Sequence, residues 1–187
     1  MKRSLLVAAA VALTAIAGCA SNAAPAAAPP AASAPAAPTS APAPASVAPL
    51  GADVPGVPAL TGTPTDLTAQ SQAQAGTGEP PTGLVLQDVV VGTGPAATLA
   101  DTVDVRYSGT LYSDGSLFDS SWSRGAEPAT FPLNGVVPGF AEGIAGMQPG
   151  GRRVIVIPPD LGYGDRARGP IPAGSTLVFV VDLVAVG

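Results

Sequence analysis

The sequence predicts an α+β domain, antiparallel strands around one short helix, occupying the second half of a 187-residue chain. Three observations predict it. From about Thr82 the texture changes from Ala/Pro-rich to apolar–polar segments separated by Gly, Pro, Asp and Ser. A single stretch, Val136–Met147, carries helical spacing instead. That stretch is too rich in glycine to hold a helix alone in water, so the apolar strands on either side are expected to wrap it.

Taken in order, Leu84–Val91 reads as a strand closed by Gly92-Thr93-Gly94-Pro95. In Thr102–Tyr112, Val103, Val105 and Tyr107 fall on one face and Asp104, Arg106 and Ser108 on the other. Ser113-Asp114-Gly115 is a hairpin turn signal. Leu117-Phe118-Asp119-Ser120-Ser121 follows, then a loop through Arg124 and a short strand near Thr130–Leu133. In the helix, Phe140, Ile144 and Met147 lie at i, i+4 and i+7 and share a face. Pro138 suits the first turn, where its missing N–H costs nothing. Gly139, Gly143 and Gly146 each cost about 1 kcal/mol relative to Ala. Gln148-Pro149-Gly150-Gly151 is expected to end the helix. Arg152–Ile157 is another strand, Pro158–Gly174 a long Gly/Pro loop, and Leu177–Val186 a last strand turning Leu177, Phe179, Val181 and Leu183 inward.

Composition narrows the chemistry. Eight basic against thirteen acidic residues give a net charge of −5, and Lys2 is the only lysine, so there is no basic stripe for nucleic acid. The absence of His removes Ser–His–Asp and Cys–His catalysis and imidazole metal sites. The single Cys, Cys19, allows neither an internal disulfide nor a thiolate cluster. What remains is carboxylates, Tyr, Arg, backbone N–H groups and apolar burial. No metal and no cofactor is expected.

Residues 1–18 read as an export signal: Lys2 and Arg3, then the apolar run Leu5–Ala17. It closes on Ile16-Ala17-Gly18-Cys19, which resembles the bacterial lipobox and implies lipidation of Cys19 as the new N-terminus. An ordinary secretory signal leaving a free thiol is the alternative. Residues 19–82 are expected to form a disordered tether, charged only at Asp53, Asp66 and Glu79. Roughly 60 residues would reach ~190 Å if polyproline-like and about 45 Å as a flexible coil. The implied location is the bacterial cell envelope, lipid-anchored, facing periplasm or exterior.

Five blocks in order carry a more specific resemblance: V-R-Y-S-G-T-L at 105–111, D-G-S-L-F-D-S-S at 114–121, V-V-P-G-F-A-E-G-I-A-G-M at 136–147, G-G-R-R-V-I-V-I-P-P-D-L-G-Y-G at 150–164 and I-P-A-G-S-T-L-V-F-V-V-D-L at 171–183. Residues 83–187 thus resemble the FKBP-type peptidyl-prolyl cis-trans isomerases. The resemblance implies a curved antiparallel half-barrel sheet wrapped around one short α-helix, with a shallow apolar pocket between them. It implies that Tyr107 and Phe118 are pocket walls, that Asp119 is a buried carboxylate beside the substrate, and that Arg124 pairs with it. Val136 and Val137 precede the helix, the Val137 N–H holding a substrate carbonyl; Phe140 takes the floor position common to Trp, and Tyr163 is a hydroxyl donor. Ile171 and Phe179 complete the lining, whereas Ala129 falls where an aromatic often stands. The implied partners are proline-containing proteins or peptides and a macrolide pocket ligand, bound by a monomer.

Prolyl rotation breaks no bond. Its barrier of about 18–20 kcal/mol comes from amide resonance, so a water-poor ring-lined pocket that suits the twisted, less polar form needs no nucleophile or proton shuttle. Asp119 either meets the carbonyl carbon or orders the pocket with Arg124 and Tyr107; the residues alone leave both open. A non-catalytic module holding Pro-containing segments is the main alternative. Asp119 with Glu142 as a glycosidase pair, and calcium at Asp160 and Asp165, have less behind them: no sugar-stacking aromatic cluster surrounds the first, and no ligand loop the second.

Overall fold

The computed structural model describes residues 54–125 and 127–187, together with the backbone of a short strand at Ser46–Ala48. The expected signal segment, Cys19 and the first part of the expected tether lie outside the described residues. The strands are β1 (Ser46–Ala48), β2 (Leu60–Thr61), β3 (Gln72–Ala73), β4 (Val85–Val90), β5 (Thr102–Leu111), β6 (Leu117–Ser120), β7 (Ala129–Pro132), β8 (Gly151–Ile157) and β9 (Leu177–Val186); the helix α1 is Pro138–Ile144. One sheet runs β1-β4-β8-β9-β5-β6, with β7 also on β5, and all its pairs are antiparallel except β1 with β4. Among the described residues it wraps a single α-helix, as the sequence predicts.

The helix glycines have a physical reason. A Cβ on Gly139 would stand 2.4 Å from Cγ2 of Ile157, and one on Gly143 2.6 Å from two side-chain carbons of Ile155. The bare face lets α1 lie directly on β8, and Phe140, between the two glycines, is driven into the core at 1% exposure. The helix ends earlier than the sequence suggests, at Ile144 rather than at Gln148-Pro149. Gly146 takes a left-handed φ of 83°, and Ala97, in the loop after β4, intervenes: Gly146 N–H donates to Ala97 O at 2.8 Å and Ala97 N–H to Met147 O at 2.8 Å. The Arg153 guanidinium donates to the freed carbonyls of Gly143 (3.0 Å) and Ala145 (3.3 Å) while paired to Asp88 at 2.6 Å.

A second difference concerns residues 54–82, expected to be part of the tether. They form a strap, including the β2–β3 hairpin, across the outer face of the sheet. Ala73 packs with Val154, Val156, Val178, Val180 and Tyr112, residues that point away from α1. Gly76 lies flat on the Tyr112 ring, and its N–H donates to Tyr112 O at 2.7 Å. Low apolar content misleads here because the strap needs no core of its own: it borrows the sheet's second apolar face. Small residues then become an advantage, since they let the backbone approach closely.

The strap also completes a buried ion pair. Arg152, 1% exposed, is bidentate to Asp182. Its remaining donors reach Pro64 O (3.0 Å), Ala69 O (3.0 Å) and Ser71 Oγ (2.8 Å), all on the strap. Burial pushes the Asp182 carboxyl above its usual range, against the pull of Arg152. Arg152→Met strands that carboxylate and should cost about 3–5 kcal/mol in urea unfolding, whereas Arg152→Met with Asp182→Leu should recover most of the loss. Equal loss in single and double variants would contradict this account.

Candidate functional site

Two features of β5 and β6 shape a cavity at one end of the sheet. Between Gly109/Asp119 and Thr110/Leu117 the register shifts, leaving Phe118 as the extra residue of a bulge, which turns its ring out of the ladder. Opposite it, Gly109 has no side chain, and a Cβ there would meet the Phe118 ring at 2.7 Å and the Phe179 ring at 2.9 Å. The bare strand position lets Phe118 and Phe179 meet edge to face, centroids 5.5 Å apart. With Asp119, Tyr163, Arg168, Gly169, Pro170 and Ile171 they enclose about 260 Å³. A larger groove of about 750 Å³ lies between the strap and β4, but its lining of Pro, Gly, Val and Thr with Gln87 and Asp88 offers no convergent rings.

Behind the cavity wall the rings continue. Phe140 stands 5.0 Å from Phe179 and 6.2 Å from Tyr107, and Phe131 touches both Tyr107 (5.8 Å) and Phe140 (6.0 Å). Where β5 passes from β6 to β7 its edge is bridged by Ser121, whose Oγ accepts from the Tyr107 N–H at 3.0 Å. Arg124 follows on a short 3₁₀ turn, Trp122–Arg124, and lies over the Tyr107 ring, 5.8 Å from its centroid.

Tyr107, Asp119 and Arg124 close a triangle. The Tyr107 hydroxyl donates to Asp119 Oδ2 at 2.5 Å, Arg124 pairs with Asp119 Oδ1 at 2.7 Å, and Arg124 also donates to the Tyr107 oxygen at 2.8 Å. Asp119 Oδ1 further accepts from the Ser120 N–H at 2.8 Å. Both carboxylate oxygens are thus engaged. Burial first, then the bond to Asp119, pushes the Tyr107 hydroxyl well above its usual pKa, and burial pushes Tyr163 up to about 12.

Of the residues expected at the site, Phe118, Asp119, Tyr163, Ile171 and Phe179 line the cavity together. Phe140 and Tyr107 stand one layer behind it, and Arg124 reaches it through Asp119. The floor surface is therefore Phe179 with Phe118, and Phe140 supports it from below. Val136 and Val137 are buried at the helix entrance and are not part of the lining. Among the described residues the Val137 N–H has no acceptor, since α1 begins only at Pro138. Arg168, Gly109 and Phe131 escaped the sequence reading. A glycine inside an alternating strand was the available signal for Gly109, marking close approach. Among the described residues no three His, Cys, Asp or Glu side chains come together as a metal site.

Residues 94–184 match the family model of the FKBP-type peptidyl-prolyl cis-trans isomerases. A probable FK506-binding protein of Corynebacterium glutamicum is 44% identical over 61% of this chain and 96% of its own length. An FK506-binding protein of Streptomyces anulatus is 48% identical over 58% of this chain and 90% of its own. Among solved structures, the crystal structure of FkpA from Escherichia coli superposes with a TM-score of 0.53 at 50% identity, over 56% of this chain and 48% of that one.

The ring contact across Gly109 generates a direct test. Gly109→Ala should alter the near-ultraviolet circular dichroism of the packed rings and destabilise the fold by about 1–3 kcal/mol in urea. An unchanged spectrum and midpoint would show that the rings are not held by that close approach.

Proposed function

The chain belongs to the FKBP-type peptidyl-prolyl cis-trans isomerase family, and on that premise we propose that its ring-lined cavity isomerises Xaa-Pro bonds of envelope or secreted proteins, without a cofactor. The observation that carries the reading is the 260 Å³ cavity where Phe118, Phe179, Ile171 and Tyr163 converge beside Asp119.

The chemistry follows from the lining. A planar prolyl amide is polar and well hydrated; twisting it localises the nitrogen lone pair and lowers the polarity of the carbonyl. Apolar walls in place of water favour the twisted form over the flat one, which is the differential binding that accelerates a reaction. Each 1.4 kcal/mol of that difference is a factor of ten in rate. The Tyr163 hydroxyl, which among the described residues makes no hydrogen bond, and the acceptorless Val137 N–H supply donors for the flanking backbone, confining rotation to one bond. With both its oxygens engaged, Asp119 serves to hold Tyr107 and Arg124 rather than to approach the substrate carbonyl carbon. That arrangement supports the ordering role for it.

In this reading Phe118, Phe179, Ile171 and Tyr163 form the surface the substrate meets and the Val137 N–H holds its backbone, while Tyr107, Asp119, Arg124, Phe140 and Val136 keep that surface in place from behind. The domain works as a monomer, and a macrolide would compete for the same rings. The N-terminal sequence supports export and anchoring through Cys19. Because the strap of residues 54–82 packs against the sheet, the proposed spacer does not include it.

Acceleration of a Leu-Pro or Phe-Pro tetrapeptide in a protease-coupled assay tests the activity, and a rate no faster than the uncatalysed one would leave a binding module. Tyr163→Phe and Asp119→Ala should each lower kcat/KM while the protein stays folded, and Phe140→Ala should lower both activity and stability, the latter by about 3–5 kcal/mol. Unchanged activity in all three would remove the proposed site. Since the two tyrosine pKa values are raised, their protons are retained well beyond the ordinary value of about 10. From about pH 7 to 9.5, kcat/KM should therefore be flat, and a fall over that range would contradict the assigned environments.

A further inference from the structure

We infer that Arg168 selects substrates by charge, reading an acidic side chain beside the isomerised proline. The inference rests on the isomerase reading of the cavity and deepens it, since Arg168 forms part of the same wall as Tyr163 and Ile171.

Three observations support it. The backbone of Arg168 is held, not loose: its N–H donates to Ile171 O at 2.8 Å and its carbonyl accepts from the Ile171 N–H at 2.9 Å, closing a tight turn through Gly169 and Pro170. Gly169 takes a φ of 54°, a conformation other residues rarely adopt. The guanidinium lies over the Tyr163 ring, 5.5 Å from its centroid. A cation held over a ring face spends no hydrogen bond there, so its N–H donors remain available to a carboxylate, while the ring restricts the side chain and lowers the entropy lost on binding.

The third observation is electrostatic. Among the described residues the three salt bridges engage Arg124, Arg152 and Arg153, and none reaches Arg168. The nearest acid of the cavity, Asp119, is already taken by Arg124, Tyr107 and the Ser120 N–H. On the same loop Asp165 is exposed and forms no ion pair with Arg168, and the exposed Arg166 adds charge of the same sign. The chain as a whole carries −5 and would repel acidic segments, so attraction must come from a local cation that faces the bound peptide.

The test uses two series of tetrapeptides, with Glu, Leu or Lys placed immediately before or immediately after the proline. In the unaltered protein kcat/KM for Glu should exceed that for Lys by about fivefold or more in at least one series, mainly through KM. Raising the salt from low to about 0.5 M should shrink the ratio. Arg168→Ala should bring the Glu-to-Lys ratio close to one, and Arg168→Lys should keep part of it; thermal melts check that both variants fold. Calorimetric binding of the same peptides reports the ratio independently of turnover. If no peptide is turned over, the isomerase reading fails, and the binding ratio still decides the role of Arg168. A ratio near one in both series of the unaltered protein, or a ratio that survives Arg168→Ala, overturns the inference.

Discussion

The approach of α1 to β8 is the contact on which the rest of the molecule depends. Gly139 and Gly143 leave no side chain between the helix and Ile157 and Ile155, so the helix can sink into the curve of the sheet. Helix propensity is sacrificed for that proximity, about 1 kcal/mol for each glycine, and the apolar contacts with β8 offset the loss. The consequences propagate. Phe140 is pressed against Phe179, and the helix exit meets Arg153. A helix with alanines in place of those glycines would stand farther off, and the ring cluster would lose its support.

A curved sheet with one short helix inside has a second face to protect. Here β8 and most of β9 are buried on both sides, and the strap supplies the outer cover. The cover is polar where it must be. Carbonyls of residues 64 and 69 and the Ser71 hydroxyl meet an arginine that sits almost wholly out of water, so its donors are satisfied although no solvent reaches them. The strap also touches the working end of the sheet, since Gln70 Nε2 donates to Ser120 Oγ at 3.2 Å, directly beside Asp119. Cover and site are thus parts of one packed unit.

At the cavity, charge serves order more than chemistry. The Tyr107–Asp119–Arg124 triangle fixes three side chains with three mutual bonds, and the cost of holding each is shared among them. With Asp119 29% and Arg124 38% exposed, the pair is too open to water to contribute much to stability by Coulomb attraction. Its value is geometric: it holds the Tyr107 ring beneath Phe140, Phe131 and Phe179. The dry wall on one side and the ordered polar edge on the other come from adjacent residues, Phe118 and Asp119, turned apart by a single bulge.

Much of this was legible in the order of residues. Alternation placed Val103, Val105 and Tyr107, and Leu177, Phe179, Val181 and Leu183, on the core face, because a strand's side chains alternate whatever surrounds it. Phe140 and Ile144 fixed one face of the helix for the same local reason, Met147 falling beyond its end, and the absence of His and the lone Cys bounded the chemistry before any fold was known. What the sequence could not yield depended on partners far along the chain. The strap looked like tether because its own residues bury little, and only the second face of the sheet reveals what they bury against. The early end of α1 was decided by Ala97, nearly fifty residues away, and the place of Phe140 behind the cavity rather than in it by how closely the glycines let the helix approach. Periodicity is a property of the chain and survives in isolation; distance of approach is a property of two surfaces, and it exists only once they meet.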